Sequence, residues 1–384
     1  MISQIKQRKA RDASKARQVF KFPEVGIPFL WPFAFFMGNE EAGLEVLRDE
    51  IKYLKEIEKT QVERPKPAWA TRNKVILDLN TLELRDFSRD GAGIYTFVIP
   101  PYAGHTSMIV DFHNKQSLVE VLMENGIEKV CAADWKSATL EMKDYSIDNY
   151  LADLNVCVDE LGGRVNLVGM CQGGWLSAMY GARFPGKVNT IVVGGAPIDT
   201  DAGEGVIREY AHKFPMEFYE ELVAMGGGLM KGDHMLEGFK SLHPDKQYFG
   251  KFAELYEHIE DESYVRRFEN FEKWYEYTIN LPGRWYLQVI RELFKENRFY
   301  KGRFIGLGKK LSLGDIKCPV YLLAGAKDDI TPKEQVFNMQ IRLGKSEIVK
   351  DTADGGHIGL FMGSKPLREN WPGIARWIKA HSIG

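Results

Sequence analysis

Val165-Asn166-Leu167-Val168-Gly169-Met170-Cys171-Gln172-Gly173-Gly174 decides the architecture. An apolar run reaches a glycine, a lone cysteine follows one residue later, and two further glycines lead into Trp175-Leu176-Ser177-Ala178-Met179. This is a strand, a sharp turn and a helix: a nucleophile elbow with cysteine where serine is commoner. The turn is crowded, so small residues are needed two before and two after the nucleophile. It lifts the side chain above the sheet edge, where the helix N-terminus favours a thiolate. The Gln172 N–H points toward a developing oxyanion. A lone cysteine can also be a packing residue, but here glycines, strand and helix agree. Cys131, Cys157 and Cys318 lack such surroundings and read as packing.

Outward from the elbow, short apolar strands alternate with helical stretches. Val75-Leu77-Leu79 and Leu82-Leu84 suggest an early hairpin at a sheet edge. Strands are expected at Ile94–Ile99, Lys129–Asp134, Val188–Gly194, Val320–Gly325 and Glu347–Val349. Helices are expected at Gln116–Gly126, Ile147–Leu161, Gly173–Phe184 and from Trp371 to Ala380. That rhythm predicts an α/β fold with a doubly wound, mostly parallel sheet. The rhythm breaks over residues 201–311, which are rich in helix formers and aromatics and read as an inserted helical cap. The core is then 67–200 and 312–384. Residues 1–66 form an N-terminal extension: a basic arm, the aromatic run Phe29–Met37 and an amphipathic helix from Glu40 to Thr60. The aromatic run is too short and too interrupted by Pro28 and Pro32 to span a bilayer.

Two later motifs complete the chemistry. Asp328 and Asp329 follow a late strand, where the α/β-hydrolase fold keeps the acid that orients its histidine. Asp328 is the first choice; the sequence leaves Asp329 open, and one of the two would cap the turn at Thr331-Pro332. His357 stands in Gly355-Gly356-His357-Ile358-Gly359. The order Cys171, Asp328, His357 is the nucleophile–acid–base order of that fold. The loop Pro100-Pro101-Tyr102-Ala103-Gly104-His105 follows the strand that supplies the other oxyanion donor. Pro101 has no N–H, so Tyr102 or Ala103 is the candidate. His105 either contacts substrate or holds the loop, and Trp175 is placed near the site.

Composition narrows the rest. Fifty-one basic residues face 53 acidic ones, a net charge of -2, which gives no electrostatic case for nucleic acid. No Cys-x-x-Cys pair and no His cluster indicate a metal, and neither a dinucleotide fingerprint nor a P-loop indicates a cofactor, so none is expected. No signal peptide is read at the N-terminus, and the expectation is a cytoplasmic protein with reduced thiols.

At these motifs the chain resembles the poly(3-hydroxyalkanoate) enzymes, both synthases and intracellular depolymerases, collinearly from about Pro67 onward. Val165 through Gly174 resembles the cysteine box of two-subunit-type synthases, and Gly355 through Gly359 their histidine loop. Asn280-Leu281-Pro282-Gly283, Leu313-Gly314-Asp315-Ile316 and Pro319-Val320-Tyr321 are similar to longer synthases. Pro101 through His105, Gly195 through Thr200, Leu281 through Ile290 and Phe361-Met362-Gly363-Ser364 look like the depolymerases. So does Asp328-Asp329-Ile330, where synthases usually place His after the acid, whereas many depolymerases lack the glycine pair kept here after Cys171. The resemblance implies the triad roles for Cys171, Asp328 and His357. It leads first to a cysteine-dependent hydrolase of polyhydroxybutyrate esters, and second to a synthase polymerising 3-hydroxyacyl-CoA. A third expectation is a non-catalytic granule-binding protein anchored through Phe29–Met37. The partners so implied are a polyester or hydroxyacyl-CoA substrate, a granule surface and, as a candidate, a second copy of the chain.

Overall fold

The structure is a computed structural model that describes residues 66–242 and 261–382. The basic arm, the aromatic run and the amphipathic helix expected before residue 66 lie outside the described residues. One sheet organises the rest. Its strands in chain order are β1 (Lys74–Asp78), β2 (Leu82–Asp86), β3 (Tyr95–Ile99), β4 (Val130–Trp135), β5 (Val165–Met170), β6 (Val188–Gly194), β7 (Val320–Gly325) and β8 (Ile348–Ala353). Across the sheet they lie in the order β1-β2-β4-β3-β5-β6-β7-β8. β1 and β2 pair antiparallel with each other, β2 pairs antiparallel with β4, and every pairing from β4 to β8 is parallel. This is the α/β-hydrolase fold.

Residue type explains where each strand sits. β4, β5, β6 and β7 are buried along their whole length, because parallel strands are covered by helices on both faces. β1 and β8 mix exposed and half-buried positions, as edge strands carrying Lys74, Lys350 and Asp351 should. α1 (Leu118–Glu124), α2 (Ile147–Glu160) and α3 (Gln172–Arg183) connect the parallel strands, and a final helix, Trp371–Ala380, follows β8. The helix expected from Gln116 begins two residues later. Lys115 turns the chain at φ 71°, Gln116 pairs back onto His113, and the Ser117 hydroxyl caps the helix by accepting the Glu120 N–H at 2.9 Å. The last strand runs on to Ala353, beyond the expected Val349, because it pairs with β7 over its full length.

Between β6 and β7 lie α4 (Val206–Lys213), α5 (Met216–Met225), α6 (Gly232–Leu242), α7 (Glu262–Tyr275) and α8 (Gly283–Gln288). α8 runs into a π-helical turn at Val289–Lys295. Buried Asp199, just past β6, roots this segment. Its carboxylate accepts the Asn297 and Asn338 side-chain amides, each at 2.7 Å, while the Thr200 hydroxyl donates to the Leu293 carbonyl at 2.6 Å. No helix among the described residues is long and apolar enough to cross a membrane.

Asp111 performs a comparable task at the other side of the sheet. Fully buried, it accepts the Thr71 N–H at 2.8 Å, the Thr71 hydroxyl at 2.7 Å and the Ser117 hydroxyl at 2.6 Å. Asp111→Ala strands three donors, so a loss of about 3 kcal/mol in urea unfolding is expected. A loss below about 0.5 kcal/mol would show that the Thr71 segment does not depend on this carboxylate.

Candidate functional site

The elbow forms as the glycine spacing requires. Cys171 sits at φ 49°, ψ −116°, a conformation L-residues seldom adopt and that costs on the order of 1–3 kcal/mol. Its N–H donates to the Gly194 carbonyl at 2.8 Å. A β-carbon on Gly173 would lie 1.9 Å from the Ile99 carbonyl oxygen, and one on Gly169 would lie 2.4 Å from the Gly173 oxygen. On Gly174 it would meet the Ala196 β-carbon at 2.4 Å. Each glycine is thus fixed by a close approach of strand and helix. The Cys171 side chain is half-buried at the C-terminal edge of the sheet. The other three cysteines are buried, and burial pushes the Cys157 and Cys318 thiols up to about 12, which keeps them protonated.

Asp328 and His357 come together from the loops after β7 and β8. Those loops are stitched by Ala326 N–H to the Ala353 carbonyl at 2.9 Å and Lys327 N–H to the Gly355 carbonyl at 3.1 Å. His357 Nδ1 meets Asp328 Oδ2 at 2.8 Å, and the other carboxylate oxygen accepts the Ile330 and Thr331 N–H groups at 3.1 and 2.8 Å. Of the two aspartates the sequence offered, Asp328 is buried against the histidine and also caps the turn, while Asp329 is exposed. With Nδ1–H given to the carboxylate, Nε2 is the nitrogen left for Cys171, which is within hydrogen-bonding reach of the ring. Burial works against a charged imidazole here. The negative charge of Asp328, together with the sulfur of Cys171, outweighs it and raises the His357 pKa well above its ordinary value. The Phe361 ring stands edge-on to the imidazole at 5.3 Å.

The remaining expected residues are placed as follows. Among the described residues, no backbone carbonyl takes the N–H of Gln172, Tyr102 or Ala103. The Tyr102 ring is fully buried; its hydroxyl donates to the Lys136 or Asn280 carbonyl at 3.3 or 3.2 Å and accepts from the Tyr150 hydroxyl at 2.9 Å. The His105 ring is stacked on Tyr275 and Trp274, with Nε2 3.0 Å from the Tyr275 carbonyl. Trp175 is 1% exposed and packs on Trp285 with ring centroids 6.0 Å apart, inside the fold. Gly195, at φ 51°, belongs to a stretch quoted for the family resemblance but was given no place at the site: a β-carbon there would sit 3.5 Å from Asp328 Oδ2 and 2.9 Å from Leu360 Cδ1. The doubled glycine after β6 was the available signal. Among the described residues, no group of three His, Cys, Asp or Glu side chains is placed to hold a metal.

Comparison with known proteins adds the following. A family model described as Protein of unknown function (DUF3141) matches residues 84–370. The "Poly(3-hydroxyalkanoate) polymerase subunit PhaC" of Haloarcula marismortui is 28% identical over 338 residues, covering 82% of this chain and 69% of its own. The protein of the same name from Haloferax mediterranei is 26% identical over 298 residues, covering 75% of this chain but 58% of its own. Among solved structures, a Bacillus megaterium epoxide hydrolase bound to an inhibitor superposes with a TM-score of 0.50 at 15% identity, covering 80% of this chain and all of the other. At that identity the likeness shows the fold alone.

The raised pKa of His357 has a consequence for stability. In the native protein the ring keeps a proton that the unfolded chain releases as the pH rises through about 6.5. This contribution is fully present below that pH and is lost as the pH rises toward the folded-state value. The urea midpoint of the wild-type protein should therefore fall more steeply between about pH 6 and pH 9 than that of Asp328→Asn. Parallel curves for the two proteins would contradict the pairing.

Proposed function

This chain belongs to the family described as Protein of unknown function (DUF3141), and from its polymerase relatives and α/β-hydrolase fold we propose that it is an acyltransferase building a polyester from 3-hydroxyacyl thioesters. The observation that carries the reading is the His357 ring held between the Asp328 carboxylate and the Cys171 sulfur at the elbow. Of the two directions expected from the sequence, the names of the relatives favour synthesis over depolymerisation.

The proposed steps use these groups in turn. The Cys171 thiolate, paired with the His357 imidazolium, adds to the thioester carbonyl of a 3-hydroxyacyl-CoA. The oxyanion accepts from the Gln172 N–H and from the Tyr102 or Ala103 N–H, groups that no backbone carbonyl among the described residues already holds. The C–S bond to CoA breaks, His357 protonates the departing sulfur, and a hydroxyacyl-cysteine remains. Exchange between two sulfurs is nearly isoenergetic, which suits a thiol nucleophile. The hydroxyl of a growing chain then attacks, passing its proton to His357, and Cys171 is released as the thiolate. Asp328 holds the ring in the tautomer both steps need. Water in place of that hydroxyl would give hydrolysis, so the same machinery accommodates the depolymerase reading; its support is Asp328-Asp329-Ile330 and the Gly104-His105 loop. Residues 201–311 act in this reading as a cap that limits water. The aromatic run Phe29–Met37 would give the chain its hold on a polymer granule.

Purified protein given 3-hydroxybutyryl-CoA is expected to release free CoA and form polymer, and Cys171→Ala to lower both at least about 10³-fold. Soluble 3-hydroxybutyrate released from amorphous granules, without CoA release from the thioester, would reverse the direction. Full activity of Cys171→Ala would remove the mechanism altogether.

A further inference from the structure

The loop after β3 does not hold its own shape. From Pro100 to Thr106, three of its carbonyls accept hydrogen bonds from two other parts of the chain. On the sheet side, the Trp135 indole N–H donates to the Pro100 carbonyl at 2.9 Å. The other contacts come from the end of α7 and the residues after it. The Ile279 N–H donates to the Gly104 carbonyl at 2.9 Å, the Trp274 indole N–H to the Thr106 carbonyl at 3.2 Å, and His105 pairs with Thr278 in an isolated antiparallel bridge. Gly104, at φ 88°, lets the chain pass Met235, whose β-carbon would lie 2.9 Å from any side chain added there.

His105 sits at the centre of these contacts. Its ring lies between aromatic neighbours, 5.1 Å from Tyr275 at 16° and 5.0 Å from Trp274 at 27°, with Phe239 at 5.9 Å. Nε2 faces the Tyr275 carbonyl at 3.0 Å. Burial lowers the His105 pKa to about 4, against the Tyr275 carbonyl, the charge of Glu276 and the Ala103 backbone, which favour the protonated ring, while the charge of Lys240 acts with burial. Near neutral pH the ring is therefore uncharged, donates Nε2–H to Tyr275 and has no proton to exchange with substrate. What it fixes is the chain two residues earlier, where the Tyr102 and Ala103 N–H groups face no backbone acceptor among the described residues.

We propose that His105 is a positioning residue that clamps the loop after β3 to the end of α7, and so aims the Tyr102 or Ala103 N–H at the oxyanion formed on Cys171. This rests on the acyl-cysteine reading. It separates two reactions of one sulfur. Alkylation by iodoacetamide needs the thiolate but develops no oxyanion, whereas acylation by a p-nitrophenyl ester needs both.

The test compares wild type, His105→Phe and His105→Gln in the full chain. Phe keeps the stacked ring and loses the hydrogen bond; Gln restores a donor. The nitrophenolate burst of His105→Phe with p-nitrophenyl butyrate should slow roughly 10²-fold. Its alkylation rate at Cys171 should stay within about twofold of wild type, and the pH profile of the residual acylation should be unchanged. His105→Gln should recover part of the loss, and it carries the comparison if the Phe variant does not fold. Acylation unaffected by either change would overturn the proposal, as would alkylation and acylation falling in parallel. Absence of a burst in the wild-type protein, with Cys171 still alkylated, would instead overturn the acyl-cysteine reading and this proposal with it.

Discussion

A single backbone conformation sets the terms for the rest of the molecule. At Cys171 the chain reverses from β5 into α3 within one residue, at a positive φ that a side-chain-bearing residue adopts only under constraint. The constraint comes from three directions. The Gly194 carbonyl holds the Cys171 N–H, the Ile99 carbonyl presses on Gly173, and Ala196 presses on Gly174. Neighbouring strands β3 and β6 therefore grip the turn from both sides. That is possible only in a sheet ordered so that β5 lies between them. The strain is small beside the burial of four strands on both faces, so the fold can hold it.

Asp328 shows similar economy. One oxygen of Asp328 orients the imidazole, and the other satisfies two N–H groups of its own turn. The carboxylate is thus anchored by its own backbone, which fixes where its charge lies. A buried carboxylate is tolerable because every lone-pair direction used has a donor, and because the His357 proton offsets its charge.

The elbow could be read from sequence because its evidence is local: glycine spacing, an apolar run before and a helical pattern after. The alternation of strands and helices likewise gave a mostly parallel sheet, though not the neighbour order, which depends on crossovers no local pattern records. Asp328 and Asp329 could not be separated, since the direction of a side chain in a turn follows from the N–H groups that capture it. His105 stayed ambiguous because Tyr275 is 170 residues away. The early start given to α1 has a different cause. Helical periodicity continued through Gln116, and the left-handed turn at Lys115 overrode it. In the segment between β6 and β7 the composition announced helices, but nothing in it announced that Trp274 to Asn280 would grip the loop after β3.

Buried Asp199 joins three places at once: the exit of β6, the end of the π-helical turn through Asn297, and the chain beyond the acid loop through Asn338. Hydrogen bonds to a buried charged group contribute about 1.5–3 kcal/mol each. A whole-body swing of the segment about its root would break the Asn297 amide bond together with the Thr200 hydroxyl bond to Leu293. Breathing of the segment is thereby confined to the parts beyond this latch, whose base moves only with the sheet itself.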